Sequence, residues 1–411
     1  MKKIMFFGLT LLALGSALFA DDAKVMPKFV GRFYLVPTFS FANGEYDNDG
    51  KYQSFGGTAK VFNLGAALEF GITDWITGAV QWTPGWTAYS DISPAAPAGV
   101  ESLMPSITEA LLHTAMPGTD KPFKGDLTVN GVADLFVGAK IQIVGEKAPV
   151  QTNMFRFSVA PGLTIPLPGP DFSDEASNAL KGDNAVFASM DKHVMGLGGR
   201  VYFDYIINEH FFINLYNETL VYPIKQKLDK DGPNLALLKE TVLTTAQDVG
   251  DAGLIEHGAV SGEQARGAAK ALTDKLDGDV NYKYRLTFEL EPQFSTPFGG
   301  GAFSFSAGLP LHYVYNPAPD YTVDGVDNLL GGLSLLMGGV PLPITKSDLL
   351  KQAQLTGEDS HILSINPNVS LFMYKTLLPL EFKLQYNLPL WGQNAQATNS
   401  VVFQVKAYFQ I

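Results

Sequence analysis

An alternating pattern in residues 59–87 constrains the fold more than any other stretch of the sequence. Every second residue from Phe62 to Phe70 is apolar, and the residues between them are polar or very small. After a turn at Gly71–Asp74, a second alternating segment runs from Ile76 to Trp86. Alternation over about ten residues predicts a β-strand with one apolar face. A membrane β-barrel needs such strands because lipid covers its outside, although the strands of a soluble sandwich alternate as well.

The same alternation recurs along most of the chain and predicts about 12 strands, an even number as in single-chain bacterial barrels. Beyond the two strands of the first hairpin, the predicted strands are Lys28–Phe41, Leu127–Val144, Phe155–Leu167, His193–Ile207, Phe211–Tyr222, Tyr282–Phe294, Phe303–Tyr315, Ile362–Met373, Leu378–Leu390 and Val401–Ile411. The strand from Tyr282 alternates most strictly, whereas Asn217 falls on the face assigned to lipid. The predicted fold is an all-β, antiparallel, up-and-down transmembrane β-barrel with helical segments in long extracellular loops.

The connections between the predicted strands alternate in length along the chain. The short ones are Ile72–Asp74, Gly145–Asn153, Asn208–His210, Thr296–Gly301 and Tyr374–Leu377. The others, most of them long, are Asn43–Gln53, Ala88–Lys124, Pro168–Lys192, Pro223–Asn281, Asn316–Ser360 and Trp391–Asn399. Short periplasmic turns and long extracellular loops are typical of outer-membrane barrels. We therefore expect an integral protein of the cell outer membrane with both termini in the periplasm.

The N-terminus has the pattern of an export signal. Lys2 and Lys3 precede an apolar stretch that ends in small residues, which predicts a signal peptide over residues 1–20 and a barrel over residues 21–411. Cleavage after Ala17 is an alternative to cleavage after Ala20. Because few mature residues precede the first strand, we expect no room for an N-terminal plug domain. No other run of 18 apolar residues is present, so no transmembrane helix is predicted.

Composition and motifs argue against several other functions. The net charge of −12 disfavours nucleic acid as a partner, and the absence of cysteine excludes disulfides and thiolate metal sites. The six histidines show no metal-ligand spacing, and no nucleophile motif or nucleotide-binding loop stands out. We therefore predict a protein that is not an enzyme and has no cofactor or metal.

The inward faces of the predicted strands carry charges of both signs. The candidate lumen-lining residues are Arg32, Glu69, Asp134, Arg156, Arg200, Asp204, Arg285, Glu289, Glu381, Lys383 and Lys406. A barrel of about 12 strands has a narrow lumen, so opposite charges can pair across it. Such pairs either fill the lumen as purely structural salt bridges or line and gate a route through it.

Some long loops are unusually apolar for segments outside a membrane. Val100–Met116 has apolar residues at helical spacing, Leu235–Leu276 predicts a pair of amphipathic helices broken near Gly250–Gly262, and Asn328–Pro343 is rich in leucine. The candidate ligand-capture residues in these loops are Leu103, Ile107, Leu111, Leu329, Leu330, Leu333, Leu335, Leu336 and Met337. They either pack over the barrel mouth or form an apolar surface that captures apolar molecules.

Two segments carry a family resemblance: residues 63–75, NLGAALEFGITDW, and residues 130–140, NGVADLFVGAK. They resemble the FadL superfamily, the outer-membrane barrels that take up long-chain fatty acids and other hydrophobic molecules. The resemblance, to a spirochaete-type member, covers about a third of the chain and implies a monomeric barrel with extracellular helices that form a hydrophobic landing site. The sequence departs from the family in lacking the N-terminal hatch segment and in having fewer strands.

The apolar loops predict passive uptake of hydrophobic small molecules, and the resemblance to the FadL superfamily implies substrates such as long-chain fatty acids. The alternatives are a general diffusion porin and a surface adhesin that presents long extracellular loops. The expected partners are outer-membrane lipid, hydrophobic small molecules and the outer-membrane assembly machinery. The last predicted strand, Val401–Ile411, alternates up to Phe409 and Ile411, and this machinery recognises such a C-terminal pattern.

Overall fold

Alternation along the sequence produces long antiparallel strands that close into a barrel. The structure, a computed structural model, describes residues 22–82, 84–89, 127–132, 135–167, 194–228, 233–251, 261–336, 339, 344–353 and 355–410. The predicted signal peptide and the predicted helical stretch at Val100–Met116 lie outside these residues.

The barrel has twelve antiparallel strands among the described residues, as the alternation predicted. Its segments are β1 (Val30–Tyr46), β2 (Tyr52–Thr73), β3 (Ile76–Trp82), β4 (Pro84–Tyr89), β5 (Leu127–Val132), β6 (Leu135–Gly145), β7 (Val150–Gln151), β8 (Phe155–Ile165), β9 (Gly196–Ile206), β10 (Phe211–Val221), β13 (Tyr284–Phe298), β14 (Phe303–Gly308), β15 (Leu311–Asn316), β17 (Ser360–Ile365), β18 (Asn368–Met373), β19 (Leu380–Gln393) and β20 (Ala395–Gln410). Four strands consist of two consecutive segments each, β3–β4, β5–β6, β14–β15 and β17–β18, and β7 is a short addition beside β6.

The first and last strands close the barrel. β1 pairs with β20 from Val30↔Gln410 to Tyr46↔Ala395, and it pairs with β2 on its other side. Phe409 packs over Gly31, where a Cβ atom would lie within 2.4 Å of two ring carbons. The glycine thus provides the space that the aromatic ring of the closing strand occupies.

Apolar and polar side chains lie on opposite faces of each strand, as the side-chain period of two residues requires. Large apolar side chains such as Phe33, Leu68 and Phe288 are exposed on the outside, whereas the polar residues between them are buried inside. The lipid-facing Asn217 donates a 3.1 Å hydrogen bond to the backbone oxygen of Thr287 on the neighbouring strand. This bond satisfies part of the amide on a surface where water is absent.

The barrel has a turn end with short connections and a cap end with longer ones. Two connections at the cap end are shorter than predicted: β1 and β2 pair up to Tyr46↔Tyr52, and only Asn394 separates β19 from β20. The predicted loops Asn43–Gln53 and Trp391–Asn399 are therefore mostly strand. In these segments the backbone pairing continues although the apolar alternation has ended. A strand that extends beyond the lipid does not need an apolar outer face, so its sequence no longer alternates.

A cap with its own apolar core forms at this end from two of the long connections. Its helices are α1 (Pro233–Asp251), α2 (Gly262–Thr273), α3 (Val326–Leu336) and α4 (Lys346–Gln352), and its sheet contains β11 (Gln226–Lys227), β12 (Asp277–Asn281) and β16 (Asp320–Asp324). The predicted pair of helices broken near Gly250–Gly262 corresponds to α1 and α2. Within the described residues, no helix combines the length and apolarity needed to cross a membrane.

Candidate functional site

Charged side chains of both signs line the lumen, because every second residue of each strand points inward. The predicted lumen residues found on this face are Arg32, Glu69, Arg156, Arg200, Asp204, Arg285, Glu289, Glu381, Lys383 and Lys406. Asp134 lies outside the described residues. The role of these side chains in transport stays a prediction, and the structure shows how they pair.

One cluster joins the first and last strands inside the lumen. A guanidinium nitrogen of Arg32 on β1 lies 2.6 Å from a carboxylate oxygen of Glu69 on β2. On the other side of the closing pair, Lys406 lies 3.2 Å from Glu381, which also accepts a 2.8 Å hydrogen bond from the Tyr408 hydroxyl. Arg32 donates to the Tyr408 hydroxyl at 3.4 Å and so connects the two ion pairs. The cluster balances its own charges and fills this side of the lumen.

A second cluster fills the opposite wall. Arg200 on β9 and Glu218 on β10 are register partners, both buried, and their side chains form an ion pair. The Tyr216 hydroxyl donates to Glu218 at 2.7 Å, and Arg200 reaches across the lumen to Gln81 at 3.2 Å. Removing one member of such a buried pair costs about 3–5 kcal/mol, because the other charge is left without compensation. The pairing therefore holds β9 and β10 to β3 through the interior.

A third set of contacts lies on the wall between these two clusters. A ring nitrogen of His312 on β15 lies 3.0 Å from Glu289 on β13. Asn368 on β18 donates a 2.9 Å hydrogen bond to Glu291, also on β13. The second contact skips the intervening strand, so this side of the lumen is also crossed by side chains.

Residues 22–27, which we call the lumen segment, precede β1 and enter the barrel from the turn end. The Ala23 N–H donates to both carboxylate oxygens of Asp204 at 3.1 Å, and the Met26 N–H donates to the Thr77 hydroxyl at 2.8 Å. Ala23 is fully buried against lumen side chains that include Tyr202. The expectation that there is no room for an N-terminal plug domain stays a prediction; what occupies the narrow lumen among the described residues is a short peptide segment, which the sequence did not predict.

A cavity lies beside the lumen segment, in the middle of the barrel. Its lining consists of Lys24, Met26, Glu69, Thr77, Ala79, Gln81, Phe136, Gly138, Ala139, Lys140, Ala160, Arg200 and Tyr202. The lining combines residues of the lumen segment with members of both large charge clusters. The inward positions of Glu69 and Arg200 were predicted from the sequence, but no pattern placed residues 22–27 inside.

The cap holds the predicted capture residues in different environments. Leu329 and Leu333 are buried in the cap core, Leu330 and Leu336 pack against it, and Leu335 is 73% exposed. The residues outside the described part of the chain are Leu103, Ile107, Leu111 and Met337. The burial of Leu329 and Leu333 corrects the expectation for these two side chains, because the cap core covers them. Capture by Leu335 stays a prediction.

Contacts between the two connections make the cap one unit. β12 of the first connection pairs with β16 of the second, and a Cβ atom added at Gly332 of α3 would lie 2.5 Å from side-chain carbons of Leu272 in α2. Tyr282 precedes β13 and packs against both the cap core and Tyr222, so it is not part of the predicted lipid-facing row. Burial, and then the neighbouring Tyr282, raises the pKa of the Tyr321 phenol in β16. The contact between Tyr282 and Tyr222, at the two ends of the first connection, therefore joins the cap core to the barrel wall.

Comparison with solved structures defines the class: the chain has the fold of an outer-membrane channel barrel. An outer membrane channel from Pseudomonas putida F1 is 11% identical, with a TM-score of 0.51 over 95% of this chain and 99% of that chain. The CymD monoaromatic hydrocarbon channel and a Pseudomonas aeruginosa FadL homologue give TM-scores of 0.35 and 0.34 at 10% and 9% identity, each over 100% of this chain and 99% of its own. The likeness to the Pseudomonas putida channel establishes the fold, and the two lower scores add nothing to it. No protein-family model and no curated protein matches the sequence.

Proposed function

We propose that this protein is an outer-membrane channel of the FadL type that takes up hydrophobic small molecules, such as long-chain fatty acids, by passive transport. The observation that carries the proposal is the filled lumen. The lumen segment is hydrogen-bonded to Asp204 and Thr77, and the Arg200 side chain reaches across the barrel to Gln81. A general diffusion porin works through a permanent aqueous passage, whereas among the described residues the lumen segment and inward side chains occupy the middle of this interior.

Opening requires movement of the lumen segment in this proposal. A solute that crosses the barrel beside Thr77 and Tyr202 displaces residues 22–27, while the ion pairs between barrel strands stay in place. The segment is held by hydrogen bonds worth about 0.5–1.5 kcal/mol each, or about 1.5–3 kcal/mol where the partner is charged, and it belongs to no strand of the barrel, whereas removing one member of a buried ion pair costs about 3–5 kcal/mol. The segment is thus the element of the lumen that moves most readily.

Capture takes place at the cap, which forms the outer end of the channel in this proposal. The Leu335 side chain is exposed on α3, next to helices that hold the cap core. An apolar side chain in this place gives an apolar solute a first contact outside the membrane. The sequence resemblance to FadL-type channels supports the same assignment.

Reconstituted protein in lipid vesicles tests the function. We expect transfer of a fluorescent long-chain fatty acid to exceed that of empty vesicles, whereas swelling in sugar solutions stays near the level of empty vesicles. Sugar-driven swelling at porin rates without fatty-acid transfer would establish the diffusion porin instead.

The surface adhesin remains the second candidate because the cap is a folded unit with its own core. In that case the vesicles would show neither transport activity, and cells that display the protein would adhere to a host surface through the cap. A variant with the cap shortened between Lys225 and Tyr282 separates the two functions, because it abolishes adhesion whether or not the lumen conducts.

A further inference from the structure

The carbonyl oxygens of the lumen segment are held by three side-chain donors. Lys140 Nζ donates to the backbone carbonyl oxygen of Asp22 at 2.8 Å, and Gln142 Nε2 donates to the backbone carbonyl oxygen of Ala23 at 3.0 Å. The Ser158 hydroxyl donates to the same Ala23 oxygen at 2.5 Å. Two neighbouring acceptor oxygens are therefore held by one ammonium, one amide and one hydroxyl group.

These donors form a preset group on the barrel wall. Lys140 and Gln142 are two residues apart on β6 and share its inward face, and Gln142 is the register partner of Ser158 on β8. All three are buried, and the Lys140 ammonium lies 4.0 Å from the centre of the Tyr202 ring. The strands, and not the segment, fix their positions. The group therefore persists when residues 22–27 leave the lumen.

The charges around this group differ once the segment is gone. Asp204 keeps Arg156 at 2.7 Å and Asn214 at 2.6 Å, both on barrel strands. Lys140, in contrast, has no carboxylate partner among the described residues and loses the two backbone oxygens that it now contacts. A buried donor without an acceptor is unfavourable, and an unpaired ammonium more so. The vacated site therefore favours an anionic group with two acceptor oxygens.

We propose that Lys140, Gln142 and Ser158 form a carboxylate-binding subsite, which the lumen segment occupies with its own carbonyl oxygens in the closed channel. A carboxylate accepts hydrogen bonds through two oxygens, as the Asp22 and Ala23 carbonyls do here, and adds the negative charge that Lys140 lacks. The proposal rests on the proposed function for the supply of the ligand, an apolar molecule with a carboxylate head. Binding of that head and of the lumen segment is then mutually exclusive.

The direct test uses the variant Ala23→Trp, which removes the segment from the lumen because Ala23 is fully buried and a Trp side chain does not fit there. Hexanoate and hexanol are titrated by calorimetry into the purified barrel in lipid nanodiscs. We expect hexanoate to bind at least tenfold more tightly than hexanol. Adding Lys140→Met should remove this difference, whereas adding Lys383→Met, a lumen lysine on β19, should not.

Equal affinities for hexanoate and hexanol, or no effect of Lys140→Met, would overturn the subsite. If hexanol and hexanoate bind with equal affinity, the subsite is wrong but uptake of hydrophobic molecules is still supported. If neither compound binds, the result counts against the proposed function as well. A second measurement applies if Ala23→Trp does not assemble. The chain contains no cysteine, so Met26→Cys in the lumen segment provides a unique thiol. Hexanoate, but not hexanol, should accelerate its reaction with a maleimide, and equal rates would overturn the proposal.

Discussion

Substitution of Thr77 tests whether the lumen segment closes the channel. Thr77 lies on β3 with 3% of its surface exposed, and its hydroxyl accepts the Met26 N–H at 2.8 Å. The variant Thr77→Val keeps the shape and the β-branched side chain but removes the acceptor. In the closed state the Met26 N–H then stays buried without a partner, whereas in the open state it meets water.

The expected effect follows from the cost of one buried donor. An N–H group without an acceptor costs about 1–3 kcal/mol. This cost falls on the closed state alone, and about 1.4 kcal/mol corresponds to a tenfold change in an equilibrium. The ratio of open to closed channels should therefore rise about 5- to 150-fold.

Single-channel recording in planar lipid bilayers measures this ratio as open probability. Thr38→Val is the matched control, because Thr38 is also a buried lumen threonine and its hydroxyl has no hydrogen-bond partner among the described residues. The control should behave as the wild type does. An open probability for Thr77→Val that equals that of Thr38→Val would refute the assignment of residues 22–27 as the gate.

Three further predictions concern assembly, topology and capture. Phe409→Asp places a charge on the outer face of the closing strand opposite Gly31, near the turn end, where it costs less than the roughly 2–4 kcal/mol of a basic residue at the midplane; it should slow or prevent formation of the heat-modifiable form, which Phe409→Leu should retain. Epitope tags in Pro223–Asn281 should be accessible to antibody on intact cells, and tags in Asn208–His210 should not, so the opposite labelling would reverse the topology. Leu335→Ser should leave the cap folded and weaken fatty-acid binding up to about tenfold, because the lost apolar contact is worth up to about 1.5 kcal/mol; unchanged binding would exclude Leu335 from the capture surface.

The barrel wall could be predicted from the sequence because lipid imposes a strict rule on every membrane strand. The alternation around Phe288, for example, has to persist for as long as the strand is surrounded by lipid. Beyond the lipid the rule no longer applies, and the extension of β1 and β2 past Asn43 was consequently missed. The predicted strand Tyr282–Phe294 includes Tyr282 because its apolar ring fits the alternation. That ring packs against the cap core and does not face lipid, and alternation alone does not distinguish the two surroundings.

The interior of the site could be predicted only in part. Inward charges such as Arg200 were found from their period, but their partners depend on which strands face each other across the lumen. The lumen segment gave no signal, because Ala23 and Met26 are held through backbone N–H groups that every residue type possesses. Side-chain periodicity contains no information about such contacts. The cap core was recognised as apolar, yet the split between buried Leu333 and exposed Leu335 depends on how α3 packs.

The most direct test of the account is to lock the lumen segment in place and measure fatty-acid transfer. Met26→Cys and Thr77→Cys together introduce a pair of thiols where the wild-type chain has no cysteine and where the Met26 backbone N–H already donates to the Thr77 side chain. In reconstituted vesicles, oxidation should reduce transfer of a fluorescent long-chain fatty acid to the level of empty vesicles, and reduction should restore it. Equal transfer by the oxidised and reduced protein, with the disulfide confirmed by mass spectrometry, would contradict a route through the lumen.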